Sequence, residues 1–302
     1  MDSNSGLNTE EKSFKIGFHV SIASGIDKAV DRALKSGCTT FQIFTRNPRS
    51  WIFKKIDPDV SQAFINKRQD AKIDPVFSHM PYLANLSSPE DEIYQKSVQA
   101  LIEELRRCNA LKIPFIVTHC GSHRGKGFEV GLEQICNALE EAYKQSQSNV
   151  QILLENTGGS KTSMGSSFKD LRRIIESLNN PISQMIGLCF DTCHAFVSGY
   201  ELREPKEVDT LVLEILDTIG PDRLKLIHAN DAKYKKGSHR DRHEHIGEGN
   251  IGISGFKAIL SNPVLRKLPW ILETPRRSLE DDLKNLRTMQ KLYQNSIKRI
   301  NE

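Results

Sequence analysis

Long apolar runs, paired cysteines and low-complexity segments are all missing from this 302-residue sequence. No stretch approaches the roughly 20 apolar residues that a membrane-spanning helix needs, and we find no secretory signal. The six cysteines contain no Cys-x-x-Cys pair, which argues against a disulfide framework in a chain of this size. We therefore expect a protein with reduced thiols that is intracellular, cytoplasmic if its source is prokaryotic, and not associated with a membrane.

The composition favours one large domain. With 38% apolar residues the chain can bury a substantial core, and strand-like and helix-like segments alternate without a break. Residues 1–13 carry no apolar run, so we expect a disordered polar tail there and one domain over residues 14–302.

Eight short apolar runs are spaced along the chain and read as strands, each followed by a polar turn and helix-like sequence. They are Lys15–His19, Thr40–Thr45, Pro75–His79, Pro114–His119, Gln151–Glu155, Ile186–Asp191, Leu224–His228 and Pro269–Glu273. Among the connecting segments, Ser88-Pro89-Glu90-Asp91 predicts a helix start with a hydroxyl cap. This βα alternation predicts an α/β fold, a single (β/α)₈ TIM barrel.

Almost every one of these runs ends on a residue that can bind a metal. Because the carboxyl ends of parallel strands open onto one face of a barrel, we expect these residues to converge there. Asp241 and His243 stand two apart, so in extended backbone they point the same way and can hold one ion together. His194 comes three residues after Asp191, past the strand end, so that pair need not share an ion.

Imidazole and carboxylate ligands without thiolates suit Zn²⁺ and allow Mn²⁺, Co²⁺ or Fe²⁺. An all-oxygen Mg²⁺ or Ca²⁺ site would not need so many histidines. Nine ligands are more than one tetrahedral ion can use, whereas three ions with a bridging carboxylate would use them all. A cluster of that charge suits hydrolysis of phosphate esters. The candidate ligands are His79, His119, Glu155, Asp191, His194, His228, Asp241, His243 and Glu273.

Basic residues crowd two loops that follow strand ends. The net charge is only +4, but one loop carries Lys233, Lys235, Lys236, His239, Arg240 and Arg242, and the other carries Arg46, Arg49, Lys54 and Lys55 around Trp51. Both loops would lie on the face of the predicted site, where such charges can contact phosphates. A solvated charged loop is the simpler interpretation of either segment taken alone.

Seven ordered motifs make the chain resemble the endonuclease IV family of apurinic/apyrimidinic endonucleases, from about Ile16 to Leu292. They are SHMPYLANLSSP (78–89), THCGSH (118–123), LLENTGG (153–159), GLCFDTCHAFVSGYEL (187–202), LIHANDAK (226–233), DRHEHIGEGNIG (241–252) and ILETP (271–275). Cys120 and Ala232 depart from the family pattern, which has proline and serine at these positions.

The resemblance implies a TIM barrel with three zinc ions at the carboxyl ends of its strands, and it distributes the ligands. His79, His119 and Glu155 would hold the first ion. The second would be held by the bridging Glu155 with Asp191, His228 and Glu273. The third would be held by His194, Asp241 and His243.

The implied activity is base-excision repair of double-stranded DNA. The phosphodiester 5′ to an abasic site would be hydrolysed to a 3′-hydroxyl and a 5′-deoxyribose phosphate, and blocked 3′ ends would be trimmed. Glu155 and Glu273 would be the catalytic residues that orient the attacking hydroxide. Arg49 and Tyr82 stand at the positions that enter the duplex in the family, Lys233 and Arg242 would contact the DNA, and a monomer is expected.

Two other readings fit part of the pattern. A sugar isomerase or epimerase with a TIM barrel would bind one ion through Glu155, Asp191, His228 and Glu273, and would leave the other five ligands without a role. The other is a non-catalytic DNA-binding or zinc-stabilised protein, but structural zinc sites are usually local in sequence and rich in cysteine.

Overall fold

Eight short parallel strands form a nearly closed barrel in the computed structural model, which describes residues 14–301. The predicted disordered tail, residues 1–13, lies outside the described residues. The barrel strands are β1 (Ile16–Phe18), β2 (Phe41–Ile43), β3 (Val76–His79), β4 (Phe115–His119), β5 (Gln151–Glu155), β6 (Ile186–Asp191), β7 (Leu224–His228) and β10 (Trp270–Leu272). Two further strands, β8 (Asp231–Ala232) and β9 (His243–Glu244), pair antiparallel outside the barrel.

The strand order around the barrel is β1-β10-β7-β6-β5-β4-β3-β2, and all of these pairings are parallel. A parallel bridge between His19 and Gln42 joins the ends of β1 and β2 and brings the two edges together. The predicted fold class is therefore confirmed, and each predicted strand overlaps an observed one.

Helices follow the strands and cover the outside of the barrel. They are α1 (Lys28–Lys35), α2 (Pro58–Asp70), α3 (Asp91–Ala110), α4 (Phe128–Ser146), α5 (Phe168–Glu176), α6 (Thr192–Ser198), α7 (Pro205–Ile219), α8 (Gly252–Ser261), α9 (Pro263–Arg266) and α10 (Leu279–Asn301). Across the described part of the chain, no helix combines the length and the apolar character that a bilayer crossing requires.

The prediction that Ser88 caps a helix is wrong, because the N-cap residue of the observed helix is Glu90. Helix α3 begins at Asp91, and its N-cap Glu90 makes no side-chain cap hydrogen bond. The Ser88 hydroxyl instead accepts a hydrogen bond from the Glu90 backbone amide at 3.1 Å. Ser88 therefore forms a local turn ahead of the helix, an alternative that serine side chains commonly adopt.

Two apolar layers result from the alternation of side chains along the strands. One face of each strand packs against the helices, as Ile116, Leu154 and Phe190 do. The opposite face fills the barrel interior with a separate cluster, composed of Phe77, Val117, Leu153, Cys189, Leu226 and Ile271 with Phe115 packed against it. The interior is therefore a packed core rather than a channel.

A buried ion pair ties the loop after β2 to helix α3. The fully buried Glu104 carboxylate accepts hydrogen bonds from Arg46 Nε at 2.7 Å and from Thr45 Oγ1 at 2.5 Å. Burial raises the pKa of Glu104, and the Thr45 hydroxyl and Arg46 guanidinium oppose that rise. Arg107 extends the network by donating from Nε to Thr45 Oγ1 at 2.8 Å. This network fixes the course of the basic loop that contains Arg49.

Replacing Glu104 by alanine should lower the free energy of unfolding by about 3–5 kcal/mol, because Arg46 would remain buried without its partner. Urea denaturation measures this change. The neighbouring Glu103, which pairs on the helix surface with Arg106, provides a matched control. Glu103→Ala should cost less than about 1 kcal/mol. Equal losses for the two variants would contradict the proposed importance of the buried pair.

Candidate metal centre

Six strands carry a polar side chain two residues after their interior core residue. Residues two apart on a strand point to the same face, so each polar side chain lies directly above the packed interior layer. The pairs are Phe77 and His79, Val117 and His119, Leu153 and Glu155, Cys189 and Asp191, Leu226 and His228, and Ile271 and Glu273. The strand pattern therefore brings six of the nine predicted ligands to one end of the barrel.

Glu155 lies at the centre of this group. Its Oε2 is 3.3 Å from His79 Nε2 and 3.5 Å from His119 Nε2. Its Oε1 is 3.1 Å from His194 Nδ1 and 3.2 Å from His228 Nδ1. One fully buried carboxylate thus faces four imidazoles, which suits a ligand shared between ions.

The three ligands beyond the barrel strands come from α6 and from the β8–β9 segment. His194 lies in the first turn of α6, and its Nε2 is 3.1 Å from Asp241 Oδ2. His243 in β9 has Nε2 at 3.7 Å from Asp241 Oδ1 and 3.8 Å from Asp191 Oδ2. The Asp191 carboxylate also lies 3.7 Å from His194 Nδ1, so it stands on the side of the centre that His194 and His243 line.

Fixed acceptors orient most of these imidazoles. Three of them donate Nδ1–H to backbone carbonyl oxygens: His79 to Met80 at 2.6 Å, His194 to Asn156 at 2.9 Å and His243 to Glu273 at 2.9 Å. Such outer hydrogen bonds are typical of histidines that bind metals, because they leave the other ring nitrogen with a free lone pair.

The polar atoms at the centre fit a cation. Within residues 14–301, buried Glu155 Oε1, His228 Nδ1 and His243 Nε2 make no hydrogen bond, although lone pairs of neighbouring groups face them. Buried polar atoms without partners are costly unless an ion or water satisfies them. Within each of three groups, the ligand atoms all lie within 4.8 Å of one another: His79 with His119 and Glu155, His79 with His228 and Glu273, and His194 with Asp241 and His243.

Neighbouring charged groups shift the pKa values of several side chains in the centre. Burial alone would lower the pKa of His194, but Asp191, Asp241 and Glu155 hold it well above its ordinary value. Burial likewise would lower the pKa of His228, but the neighbouring Cys189, Glu273 and Glu155 together raise it well above its ordinary value. Burial would raise the pKa of Asp241, but His194 and His243 lower it to about 2.

The two carboxylates predicted to be catalytic are held ionised. Burial would raise the pKa of Glu155, yet His119 and His228 hold it well below its ordinary value. For Glu273, burial is likewise outweighed by His228 and His19. Both groups therefore remain carboxylates that accept hydrogen bonds and attract cations.

Several residues that orient the ligands could not be identified from the sequence. Asn230 donates to Asp191 Oδ2 at 2.7 Å and accepts from the Glu273 amide at 2.8 Å. Gln42 contacts both Glu273 and His228. Gln42 lies on the interior face of β2, where it pairs with Phe77 of β3, but no spacing in the sequence marks it as a neighbour of the candidate ligands.

Asn156 and Asp231 each lie close to a predicted ligand in the sequence, but they have different roles. Asn156 accepts from the Asp191 amide at 2.8 Å and donates to the Asp191 carbonyl at 3.0 Å, so it fixes the backbone of a ligand. Asp231 instead accepts from the backbone amides of the loop that follows β9, including Gly247 and Gly249 at 2.9 and 3.1 Å. A Cβ on Gly249 would lie 2.4 Å from Asp231 Oδ1, so this close approach requires glycine.

An open cleft of about 840 Å³ leads to the centre. Of the four residues predicted to bind DNA, Tyr82, Lys233 and Arg242 line this cleft, together with Arg277 and basic and acidic residues of α10. The Tyr82 side chain is 67% exposed. Arg49 is exposed on the loop after β2 and is not among the residues that line the cleft.

The cysteines lie inside the fold. Cys120 is buried in the outer apolar layer, turned away from the His119 side chain as strand alternation predicts. Cys189 and Cys193 come close enough to ligand atoms to form groups with Glu155 and His228 and with Asp191 and His243. Burial raises the pKa of the Cys189 thiol to about 12, so it is a neutral side chain beneath the centre.

Comparison with known proteins first defines a class. The sequence model of a family described as "Xylose isomerase-like TIM barrel" matches residues 30–300. A solved structure of a D-tagatose 3-epimerase-like protein superposes with a TM-score of 0.72 at 17% identity over 95% of this chain and 99% of the other, which shows the shared fold alone.

Closer similarity defines the family within this class. "Probable endonuclease 4" of Methanoculleus marisnigri is 49% identical over 92% of this chain and 98% of the relative. The crystal structure of endonuclease IV from Thermus thermophilus superposes with a TM-score of 0.83 at 31% identity, over 93% of this chain and 99% of that one. The chain belongs to the endonuclease IV family, and it is therefore a nuclease. The resemblance inferred from the seven motifs is confirmed.

Zinc binding to the metal-stripped protein at pH 7 should release protons. The raised pKa values of His194 and His228 keep these imidazoles protonated to a higher pH, and an incoming ion must displace those protons. Affinity should therefore rise with pH through the neutral range, and proton release should fade above the raised pKa values.

Isothermal titration in two buffers of different ionisation enthalpy measures this release. His239→Asn, in an exposed position with φ of 54° that asparagine tolerates, is the matched control and should leave the release unchanged. Equal heats in the two buffers at pH 7 would contradict the prediction.

Proposed function

We propose that this nuclease acts in base-excision repair and hydrolyses the phosphodiester 5′ to an abasic site in double-stranded DNA. The products would be a 3′-hydroxyl and a 5′-deoxyribose phosphate, and blocked 3′ ends would be trimmed through the same ester. The observation that carries the proposal is the convergence of nine imidazole and carboxylate ligands at the cleft of an endonuclease IV-type barrel.

Three Zn²⁺ ions are the proposed cofactors, with Mn²⁺, Co²⁺ or Fe²⁺ possible at some positions. His79, His119 and Glu155 would hold one ion, and His194, Asp241 and His243 another. Glu155, Asp191, His228 and Glu273 would hold the remaining one. When bound, such ions neutralise phosphate oxygens, supply hydroxide near neutral pH and stabilise the departing 3′-oxygen.

The residues of the chain then position the reactants. The ionised Glu155 and Glu273 would orient the attacking hydroxide towards phosphorus, its single O–H donating to one of the two carboxylates, and no covalent enzyme intermediate is needed. Their lowered pKa values support this role, because a protonated carboxyl could not accept at both oxygens.

DNA binding would rely on shape and charge, because an abasic nucleotide offers no base to read. Such a nucleotide lacks stacking and leaves the duplex at low cost. The exposed Tyr82 at the cleft and Arg49 on the neighbouring loop would enter the gap, while Lys233 and Arg242 would contact phosphates. We further propose that residues 14–302 form one domain and that the protein acts as a monomer.

A single-metal sugar isomerase or epimerase is the alternative that the shared barrel fold leaves open. It would use Glu155, Asp191, His228 and Glu273. The five further ligands and the basic cleft residues favour the nuclease. Metal content near one ion per chain would favour the alternative.

Cleavage of a defined abasic oligonucleotide duplex tests the function, with metal content measured on the same preparation. Prolonged chelation should abolish nicking, and zinc should restore it. Glu273→Gln should lower kcat by roughly 100-fold or more while DNA binding is retained. Glu280→Gln, an exposed position in α10, should match the wild type. A fully metal-loaded protein that leaves the duplex intact would contradict the proposal.

Tyr82→Ala should raise KM for the abasic duplex by roughly ten-fold, because the stacking of this aromatic ring on DNA bases is lost. Its metal content should stay at the wild-type level. Steady-state kinetics measure the effect, and Leu83→Ala, the adjacent exposed residue, is the control. An unchanged KM for Tyr82→Ala would remove Tyr82 from the DNA contacts.

A further inference from the structure

Gln42 is a fully buried amide that contacts three groups of the centre. Its Nε2 is 2.6 Å from Glu273 Oε1 and 3.1 Å from His19 Nδ1. Its Oε1 is 2.9 Å from His228 Nε2. One uncharged side chain of β2 therefore reaches a predicted ligand of β7, a predicted ligand that follows β10, and the imidazole after β1.

Chemistry allows only one orientation of this amide. The Glu273 carboxylate can accept hydrogen bonds but cannot donate them, so the amide NH₂ must face it. A flipped amide would bring two oxygens to 2.6 Å without a proton between them. The amide oxygen therefore faces His228, and His228 Nε2 must carry a proton to donate to it.

This hydrogen bond determines which nitrogen of His228 is available. With Nε2 protonated, the ring can bind an ion only through Nδ1. That atom lies 3.2 Å from both Glu155 Oε1 and Glu273 Oε2, and it makes no hydrogen bond among the described residues. The amide NH₂ of Gln42 donates to Glu273 Oε1. The second oxygen of this carboxylate, Oε2, is then left facing His228 Nδ1.

His228 differs in this respect from His79, His194 and His243. Those three imidazoles donate to backbone carbonyls, which substitution cannot remove. The acceptor of His228 is a side chain, and the same side chain also orients a carboxylate. A single substitution can therefore release two neighbouring ligands at once.

We propose that Gln42 is a positioning residue that presents His228 Nδ1 and Glu273 Oε2 together to one metal ion. This inference rests on the metal centre of the proposed function. It assigns Gln42 no contact with substrate. Its loss should weaken one ion selectively, because the ligands His119, His194, Asp241 and His243 make no hydrogen bond to Gln42 among the described contacts.

The test compares Gln42→Met, which keeps the volume but removes all three hydrogen bonds, with the wild type. Metal release to a chromophoric chelator is followed as stepwise loss of zinc. We expect roughly 10- to 100-fold weaker binding of one ion and wild-type binding of the others. Excess zinc should then restore kcat. Gln62→Met, the same change at an exposed position of α2, should behave as the wild type.

A merely structural role predicts a different result. In that case Gln42→Met would unfold at a lower temperature while its ions were retained or lost uniformly, and either outcome would overturn the proposal. Gln42→Asn, which keeps the amide but falls one methylene short, should reproduce the selective loss if Gln42→Met does not fold.

The two proposals can fail separately. Wild-type protein that holds no zinc and does not nick an abasic duplex would refute the proposed function. Wild-type protein that holds its ions and nicks the duplex, with Gln42→Met equal to it in metal release, would overturn the role of Gln42 alone.

Discussion

The two-residue period of the β-strand is the constraint on which this site depends. Each of six strands buries an apolar side chain in the barrel interior and then, two residues later, presents an imidazole or a carboxylate on the same face. The packed layer below Glu155 excludes water from the barrel side of the candidate ligands and fixes their height along the barrel axis. A shift of register by one residue would turn all of these side chains towards the helices, so packing and metal binding are specified by the same pattern.

The fold and the convergence of most candidate ligands could be predicted because they follow from this pattern. Strands β5, β6 and β7 have the same limits in the structure as in the prediction, since each is a short, mainly apolar run that ends on a candidate ligand. Helix limits were less predictable. The start of α3 depends on whether Ser88 caps the helix or forms a turn before it, and both use the same hydroxyl.

The residues that orient the ligands could not be predicted for a different reason. Gln42 and Asn230 act through contacts with residues far away in sequence, and no spacing distinguishes such an amide from other polar side chains within or just after a strand. Asp231 stands next to a ligand strand yet holds the loop after β9. Position at the end of a strand therefore predicts candidate ligands better than it predicts the residues that orient them.

Strand β2 contributes no ligand, yet it connects the metal centre to the basic loop. Gln42 contacts Glu273 and His228. Two residues later the ring of Phe44 lies 4.1 Å from that of His19 and 5.1 Å from that of Tyr82, measured between centroids. Arg46, two residues further on, is held by the buried Glu104. Five consecutive residues, 42–46, thus join the candidate ligands to the loop that contains Arg49. Since Gln42, Thr45 and Arg46 are buried, packed side chains rather than solvent set the position of this loop relative to the candidate ligands.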